Sequence, residues 1–284
     1  STVTLVGDLQ SELNVACGDW DPACPATHMA YDAADDVWQL TGTVPAGGYQ
    51  YKVAVNDSWD ESYGANAQPG GANIPLNAGA APIKFYYDDK SHWITDNVNS
   101  VIAVAPGNFQ SELGCPADWS PDCLRSWLQD PDGNGLYTFT TTAIPAGSYE
   151  AKVALNESWD VNYGEGGAQN GANIVFTVPS NGSTVTFSYD ATSHVPSITV
   201  VAAGSNDVQW DGLRHDSRDT LYRTPGGAVP AGTPVTIRFR TFHDDVTGVQ
   251  LRVYDVDSGT QSFLSMTPAA TDVSCYQSGL ESQS

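Results

Sequence analysis

Hydrophobic and polar residues alternate along several short stretches of the chain, and turns rich in Gly, Pro, Asn and Asp separate these stretches. In the clearest one, residues 49–55, every second side chain is apolar or aromatic. A period of two indicates a β-strand with one buried face. Further short strands are predicted at 2–6, 37–40 and 83–87, and no stretch has a helical period. The sequence therefore predicts an all-β protein built from immunoglobulin-like β-sandwiches.

The chain contains an internal repeat. Residues 45–64 read PAGGYQYKVAVNDSWDESYG and residues 145–164 read PAGSYEAKVALNESWDVNYG, with thirteen of the twenty positions identical. LQSEL upstream returns as FQSEL, while GANI downstream returns unchanged and FYYDDKSH returns as FSYDATSH. Each repeat is long enough to be a domain in its own right. We predict a first β-sandwich repeat at 1–98 and a second at 99–202.

The composition changes after the second repeat. Six of the seven arginines lie at or beyond residue 214, whereas seven of the eight tryptophans lie before residue 160. Residues 201–207 (VAAGSND) are typical of a linker, and 234–242 and 248–256 have strand-like patterns. We predict a third, partial β-sandwich at 203–284. Because Cys275 has no evident partner, we expect the natural polypeptide to continue.

The charge of the chain limits its partners. There are 33 acidic and 11 basic residues, which gives a formal charge of −22. Nucleic acids and anionic membranes would be repelled, so neither is expected as a partner, whereas a neutral polysaccharide is compatible with this charge. No apolar run approaches the ~20 residues of a membrane-spanning helix. We expect a monomer.

The cysteines fall into two short local pairs. Cys17 lies close to Cys24, and Cys115 lies close to Cys123. Disulfides within each pair are predicted, and they indicate a secreted, extracellular protein. A zinc site is the alternative, but cysteines at this spacing with no second pair nearby fit zinc poorly. Each disulfide would hold the loop that carries Trp20 or Trp119.

One set of side chains suits sugar recognition and occurs in both repeats. Tryptophan offers a flat, amphipathic face to a pyranose ring, while Lys and Asn supply hydrogen-bonding groups for its hydroxyls. Tyr63 and Tyr163 either extend this surface or pack under the loop. The candidate carbohydrate-binding residues are Trp20, Lys52, Trp59, Tyr63, Asn73, Trp119, Lys152, Trp159, Tyr163 and Asn173.

A purely structural role is the alternative for these residues. Trp38 lies in a strand beside Leu40 and is predicted to be core. Trp59 differs because it lies in the polar, Gly-terminated loop NDSWDESYG, and binding residues are common in such loops. Lys52 could instead lie on a solvated strand face.

The repeated motifs resemble a known class of module. The [LF]QSEL, KVA[VL]N[DE]SWDxxYG and GANI stretches resemble the accessory modules in front of bacterial pullulanases and related α-amylases. YQYKVAVNDSW is also similar to a stretch of starch- and glycogen-binding modules in which a Lys, a Trp seven residues later and a downstream Asn contact the α-glucan. The resemblance implies those roles for Lys52, Trp59 and Asn73, with Lys152, Trp159 and Asn173 in the second repeat.

The third segment resembles a different domain. Residues 206–270 are similar to the β-sandwich that precedes the catalytic barrel in α-amylase-type enzymes of glycoside hydrolase family 13. Within it, Gly212–Asp216 matches the G-x-R-x-D string that holds the nucleophilic aspartate of that family. Retaining glycosidases need two carboxylates about 5–5.5 Å apart, and a barrel takes ~250 residues. The His243–Asp244 pair follows too closely to be the family's later His-Asp motif, so Asp216 is not expected to be catalytic.

A second acidic motif has two interpretations. Asp130, Asp132 and Asn134 fit the opening of a calcium loop, but Thr141 stands where such a loop needs a bidentate Glu. D-G and N-G are strong hairpin signals, so a turn before the strand LYTFTTT is favoured, with a weak calcium site as the alternative. No other cofactor is expected. The histidines form no ligand cluster in the sequence, and a loop or surface role is predicted for His28, His92, His194 and His215.

Two functions from different classes are compatible with this sequence. In the first, the chain is the non-catalytic α-glucan-binding region of a secreted α-amylase or pullulanase, with starch, glycogen or pullulan as ligand. In the second, the repeats are rigid spacer modules without a ligand. The chain by itself is expected to be catalytically silent.

Overall fold

The structure, a computed structural model of the chain, describes residues 1–13, 16–203, 210–242, 246 and 248–268. The described residues form strands, turns and short 3₁₀ segments, and none of them lies in an α-helix. No helix among them is long and apolar enough to cross a membrane. The chain divides into two compact units, Ser1–Ala203 and Gly204–Ser284. The all-β prediction and the two repeats are confirmed.

The first repeat, called module 1 (residues 1–98), contains two antiparallel sheets. One sheet has the order β1-β4-β5, with β6 also paired to β4, and the other has the order β2-β3-β7-β8. The strands are β1 (Val3–Gly7), β2 (Ala30–Asp32), β3 (Val37–Gly42), β4 (Gly47–Val55), β5 (Ser58–Tyr63), β6 (Ile74–Ala78), β7 (Ile83–Tyr87) and β8 (Ile94–Asp96).

The second repeat, module 2 (residues 99–202), has the corresponding arrangement. Its sheets have the orders β10-β9-β13-β14 and β11-β16-β17, and β12 pairs with β15. The long strand β4 of module 1 corresponds here to two strands that are interrupted at Lys152. The strands are β9 (Ala103–Val104), β10 (Trp127–Leu128), β11 (Leu136–Thr141), β12 (Gly147–Ala151), β13 (Val153–Leu155), β14 (Ser158–Tyr163), β15 (Ile174–Val178), β16 (Thr184–Asp190) and β17 (Pro196–Val201).

Short 3₁₀ segments occupy the connections. Three in each module occur at equivalent places, in the LQSEL or FQSEL motif, after the disulfide loop and after the strand that carries Trp59 or Trp159, and one more lies in the unit Gly204–Ser284. The segments are Ser11–Leu13, Pro25–Thr27, Ala65–Ala67, Gln110–Leu113, Leu124–Ser126, Glu165–Gly167 and Trp210–Gly212.

The core of module 1 lies between its two sheets. Period-two alternation places Leu5, Val53, Phe85 and Tyr87 on the inner faces, where they are buried. Trp38, predicted to be core, is half-buried and packs against this cluster. The strands predicted at 2–6, 37–40 and 83–87 correspond to β1, β3 and β7.

The outer face of the second sheet of module 1 is also buried, because module 2 packs against it. Tyr86 lies between Phe85 and Tyr87 on β7 but belongs to the hydrophobic core of module 2. Trp93 and Val37 of module 1 belong to that same core. The ring of Trp127 lies 4.9 Å from the ring of Trp93, centre to centre. The two repeats therefore form one packed body with a continuous apolar junction.

Polar contacts surround this apolar junction. The guanidinium of Arg125 donates to the backbone oxygens of Ala33 and Ala34, both at 2.8 Å. The Leu124 amide donates to Asp35 at 3.0 Å, and the Gln129 side chain donates to Asp88 at 2.6 Å. Such partners satisfy the buried polar groups at the edge of the contact.

The unit Gly204–Ser284 contains two short hairpins in its described residues. They pair β18 (Arg223–Thr224) with β19 (Thr236–Ile237), and β20 (Gln250–Asp255) with β21 (Thr260–Ser265). The strand predicted at 248–256 corresponds to β20. The run 234–242 gives only the short β19, so the longer strand predicted there is wrong. Most of the linker at 201–207, the His243–Asp244 pair and Cys275 lie outside the described residues.

Candidate functional site

A disulfide loop follows the first strand of each module. Cys17 is bonded to Cys24, and Cys115 is bonded to Cys123, as the sequence predicted. A fully buried glutamine of the QSEL motif, Gln10 in module 1, fastens this loop to the sandwich. Its carbonyl oxygen accepts the backbone amide of Asp21 at 2.9 Å.

The side-chain amide of the same glutamine also bonds to the loop, and we call this set of bonds the glutamine clamp. In module 1 the Gln10 amide donates to the Thr27 hydroxyl at 2.9 Å and to the backbone oxygen of Asp21 at 3.0 Å. In module 2 the Gln110 amide donates to the Ser126 hydroxyl at 3.0 Å and to the Ser120 backbone oxygen at 2.9 Å. Buried amides that are fully paired hold a loop in one conformation, which explains why this motif is shared by the two repeats.

The clamped loop presents a tryptophan in an uncommon backbone conformation. Trp20 and Trp119 both have a φ of +59°. This left-handed conformation is unfavourable for a bulky side chain and persists only where the surroundings enforce it. Here the backbone amide of each tryptophan donates at 3.1 Å to the carbonyl of a glycine, which is Gly7 at the end of β1 or Gly107 three residues after β9. Both modules thus hold this side chain in the same way.

The second tryptophan of each module lies just after a tight hairpin turn. Asn156 and Glu157, at the tip between β13 and β14, both have positive φ, as do their counterparts in module 1. Two successive left-handed residues form the turn whose twist suits a hairpin. Residues 159–161 then bulge out of the ladder, because Ser158 pairs with Leu155 while Asn162 pairs with Ala154. The bulge turns Trp159 outward, and it is 38% exposed.

In module 2 the two tryptophans come together. The rings of Trp119 and Trp159 are 6.4 Å apart, centre to centre, and their planes are inclined by 36°. They form a partly exposed aromatic surface at the end of the sandwich. In module 1 Trp59 is 45% exposed and Trp20 is half-buried, and no ring contact joins them in the part of the chain that the structure describes.

The candidate lysines form hydrogen bonds to segments near the tryptophans. Lys52 is buried, and its ammonium donates to the backbone oxygen of Gly71 at 2.6 Å. Burial lowers the pKa of Lys52 below its usual value. In module 2 the Lys152 ammonium donates to the side-chain oxygen of Asn162 at 3.3 Å, and the amide of Asn162 donates to the backbone oxygen of Trp159 at 2.9 Å. Both lysines therefore contact the loops that surround the tryptophans.

The candidate asparagines are tied to the neighbouring strand. The Asn73 amide donates to the Gln50 side chain at 3.1 Å, and the Asn173 amide donates to Glu150 at 2.7 Å. Asn73 is exposed and Asn173 is half-buried. Each retains a side-chain oxygen that could accept from a ligand hydroxyl.

Each candidate tyrosine stacks on a histidine. The rings of Tyr63 and His92 are parallel within 4° and lie 4.0 Å apart, and Tyr163 stacks on His194 at 4.7 Å. Tyr63 is buried, and burial is the main cause that raises its pKa. A second tyrosine hydroxyl, from Tyr189, contacts Nδ1 of His194 at 2.8 Å. Both candidate tyrosines are thus in contact with a histidine of their own module.

The acidic motif at 130–134 forms a turn. The carboxylate of Asp130 accepts the backbone amides of Asn134 and Gly135 at 3.1 and 2.9 Å, and burial raises its pKa. The side-chain amide of Asn134 donates to the Asp132 carboxylate at 2.8 Å, and the strand β11 begins after this turn. Within the described ranges no three His, Cys, Asp or Glu side chains are grouped so that they could hold a metal. Calcium binding there stays a prediction.

Asp216 also serves a turn. Its carboxylate accepts the backbone amide of Arg218 at 2.9 Å, and the neighbouring His215 contacts the backbone oxygen of Arg238 at 2.8 Å. These contacts shape the local backbone of the third segment.

Three features of the site were not anticipated from the sequence. They are the glutamine clamp, the Tyr–His stack and the contacts of Glu157 with Lys84 and Tyr86 of module 1, at 2.6 and 2.9 Å. The first two had a signal, because LQSEL and FQSEL recur at equal spacing from the tryptophan motif, and a Ser-His pair follows that motif in both repeats. The third had none, since a turn residue gives no indication of its partner in a different module.

The architecture and the site define a class of protein, a tandem of disulfide-pinned β-sandwich modules that each present a tryptophan loop. Comparison with known families then gives two matches, at residues 2–94 and 102–196, to the pullulanase X25 domain. These ranges cover about two-thirds of the chain, which belongs to the pullulanase X25 domain family.

Relatives of known activity have the same segment. The chain is 34% identical over 265 residues to an amylopullulanase of Thermoanaerobacter thermohydrosulfuricus, which covers 88% of this chain and 17% of that protein. It is 31% identical over 278 residues to an amylopullulanase of Thermoanaerobacterium saccharolyticum, with 93% and 21% covered. The chain thus spans about a fifth of the length of these relatives or less. The resemblance to accessory modules of pullulanase-type enzymes is confirmed.

Similarity to solved structures is distant. A pullulanase from Bacillus acidopullulyticus aligns with 69% of this chain and 28% of its own length, at 18% identity and a TM-score of 0.31. SusF from Bacteroides thetaiotaomicron aligns with 76% and 50%, at 17% identity and a TM-score of 0.22.

Proposed function

We propose that this chain is a non-catalytic, α-glucan-binding region of a secreted amylopullulanase-type enzyme. The single observation that supports this most is the aromatic surface of Trp119 and Trp159, which is held by a disulfide, a buried glutamine and a hairpin bulge. An outward-facing tryptophan on a rigid support suits stacking against a pyranose ring, since little side-chain freedom is lost on binding. Starch, glycogen and pullulan are the proposed ligands.

Trp59 and Trp20 form the second proposed site. The surrounding side chains differ in detail, because Lys52 supports the Gly71 loop whereas Lys152 supports Trp159 through Asn162. We propose that the lysines and tyrosines act mainly as supports, and that Asn73 and Asn173 provide hydrogen bonds to sugar hydroxyls. The two sites would then bind short oligosaccharides with different affinities.

The strongly acidic charge is compatible with this role. Starch is neutral, so a charge of −22 neither attracts nor repels it at long range. Binding by stacking should therefore depend little on ionic strength. Acidic residues also keep the chain soluble and away from anionic surfaces, as suits an extracellular protein.

The test is a set of tryptophan variants of the full chain. Trp59→Ala, Trp159→Ala and the double variant are titrated calorimetrically with maltoheptaose and tested for retention on starch granules. Each stacking tryptophan is expected to contribute about 1 kcal/mol, so each single variant loses about fivefold or more in affinity at its own site. Granule binding should fall further, since two linked sites gain about 10²-fold or more from avidity.

A matched control is available in the third segment. Trp210 is 80% exposed and lies outside both proposed sites, so Trp210→Ala should bind both ligands like the parent. Circular dichroism confirms that each variant is folded. If the folded double variant binds granules like the parent, the tryptophan loops are not the site.

The second candidate is a rigid spacer without a ligand. The observation that favours it is the apolar junction, in which Tyr86, Trp93 and Trp127 are buried and the two modules are held as one body. A spacer requires stiffness and no sugar contact, so it predicts no maltoheptaose binding by the parent and no effect of either tryptophan variant.

A further inference from the structure

The residue at the tip of the tryptophan hairpin makes different contacts in the two modules. In module 1 this residue is Asp57, which accepts the Thr2 hydroxyl at 2.8 Å and lies 2.9 Å from Nε2 of His28. All of these groups belong to module 1. In module 2 the equivalent residue is Glu157, and both of its carboxylate oxygens contact residues of module 1 across the junction.

Two side chains of β7 hold Glu157. The Lys84 ammonium donates to Oε1 at 2.6 Å, and the Tyr86 hydroxyl donates to Oε2 at 2.9 Å. The ammonium also lies 4.9 Å from the centre of the Tyr86 ring, so the three groups form one compact cluster. Tyr86 is almost fully buried, and its burial, followed by the neighbouring Glu157 carboxylate, raises its pKa so that it remains a donor. Charge-assisted bonds in such a sheltered place are stronger than exposed ion pairs.

The backbone at Glu157 is unfavourable for a residue with a β-carbon, as it is at Asp57 of module 1. The φ of Glu157 is +56°, a region that costs a residue with a β-carbon about 1–2 kcal/mol relative to the right-handed one. Glycine after asparagine is the preferred pair for this turn. The sequence nevertheless has Asn156–Glu157, and the two contacts to module 1 offset the unfavourable conformation.

Trp159 lies two residues after Glu157, which Lys84 and Tyr86 hold at the junction. The bulge at 159–161 leaves it without ladder bonds on one side, so its position depends on the anchored turn before it and on Asn162 after it. We propose that module 1 orders the tryptophan loop of module 2, with Lys84 and Tyr86 as positioning residues for Trp159. The nature of the ligand rests on the function proposed above. Trp59 has no such dependence on module 2, because the partners of Asp57 lie in its own module.

The dependence can be measured one site at a time in the full chain. In a Trp59→Ala background the site of module 1 is weakened about fivefold, so module 2 contributes most of the binding, and the reverse holds in a Trp159→Ala background. Lys84→Met with Tyr86→Phe removes both donors and retains most of the buried volume. In the Trp59→Ala background we expect these changes to lower maltoheptaose affinity about fivefold or more, which is the lower end of the range for coupled sites. In the Trp159→Ala background we expect the affinity to stay unchanged.

Glu157→Gly provides a sharper variant. Glycine adopts the positive φ at this position without steric cost and gives the preferred Asn-Gly turn. If Glu157 served only the turn, binding at module 2 should therefore be unchanged or better. The positioning role predicts weaker binding. The matched variant in module 1, Asp57→Gly, should leave binding at module 2 unchanged. Retained affinity of Glu157→Gly at module 2, or an equal loss in both backgrounds, would overturn the proposal.

Hydrogen exchange separates this proposal from the proposed function. Amides of residues 156–161 are followed by mass spectrometry without sugar, in the parent and in Lys84→Met/Tyr86→Phe. Faster exchange there, with residues 56–61 unchanged, supports ordering by module 1 even if no glucan binds at all. Unchanged exchange at 156–161 contradicts it, whatever the binding data show.

Discussion

Modules 1 and 2 share a scaffold but differ on the two faces that could meet at a junction. On the first sheet, module 1 has polar residues where module 2 has apolar ones, since Thr4 and His28 correspond to Val104 and Trp127. On the second sheet the pattern is reversed. Tyr86 of module 1 corresponds to Ser188 of module 2, the middle position of FYY and FSY.

The difference identifies the side chains that join two similar sandwiches into one body. Apolar residues occur on the first sheet of module 2 and on the second sheet of module 1, and these are the two faces in contact. The opposite faces bear hydroxyl groups that bond to each other, as in Thr140 with Thr186 and Ser188 with Ser197. At these positions the differences between the repeats coincide with the junction.

The largest expected effect comes from removing the central ring of the junction. Trp127 is 2% exposed and contacts Tyr86 and Trp93. Trp127→Ala should lower the free energy of unfolding by about 3–5 kcal/mol, because it loses burial and leaves a cavity. His28→Ala, at the equivalent position of module 1, should cost about 1 kcal/mol, because a half-buried imidazole loses one contact, to Asp57. Urea unfolding of the full chain measures both, and equal losses would remove the distinction between the two faces.

Exchanging the middle residue of FYY and FSY sharpens the comparison. Tyr86→Ser removes a buried ring and should cost about 2–3 kcal/mol, whereas Ser188→Tyr changes a partly exposed side chain and should stay within about 0.5 kcal/mol. The shift in the thermal midpoint of each variant gives the answer. A similar shift for the two variants would indicate that module 2 also buries its outer face.

The smallest expected effect concerns pH. Burial at the junction is the main cause that raises the pKa of Asp35, so the folded state holds its proton more tightly than the unfolded state. Stability from this group is therefore present at acid pH and is lost as the pH rises from the unfolded pKa through the raised folded pKa. Asp35→Asn should remove this loss. The free energy of unfolding of the variant, relative to that of the parent, should therefore rise between acid and neutral pH by less than about 1 kcal/mol, after allowance for solvent screening. Unfolding curves at several pH values test this, and a constant difference would contradict it.

Much of the local structure could be predicted from the sequence. The repeat, the alternating strands, the disulfide pairs and the exposure of Trp59 and Trp159 all depend on short-range patterns. The junction could not be derived in this way, because period-two alternation identifies two faces of a strand and does not show that both are buried. Tyr86 was visible in the pattern as an aromatic residue on the outer face of β7, but its partner Trp127 is distant in sequence.

The run 234–242 shows the opposite failure. Its alternation of apolar and basic residues predicts one strand, but its backbone changes partner along its length. Arg238 bonds to Tyr222 and Arg240 bonds to Arg214, and only Thr236–Ile237 forms a regular ladder. Alternation predicts extended backbone and does not determine whether a single partner strand follows it.

The asymmetry of the two outer faces also limits how many repeats can be joined. If another copy packed on the second sheet of module 2, its equivalent of Trp127 would lie against Thr186 and Ser188. If another copy packed on the first sheet of module 1, it would lie against Thr4 and His28. In both cases an apolar face would meet hydroxyls or an imidazole and would remove these polar groups from water, which is unfavourable. Repeat arrays end in the same way at capping units with polar outer faces. The contact between the second sheet of module 1 and the first sheet of module 2 is therefore favoured over either alternative pairing of these faces.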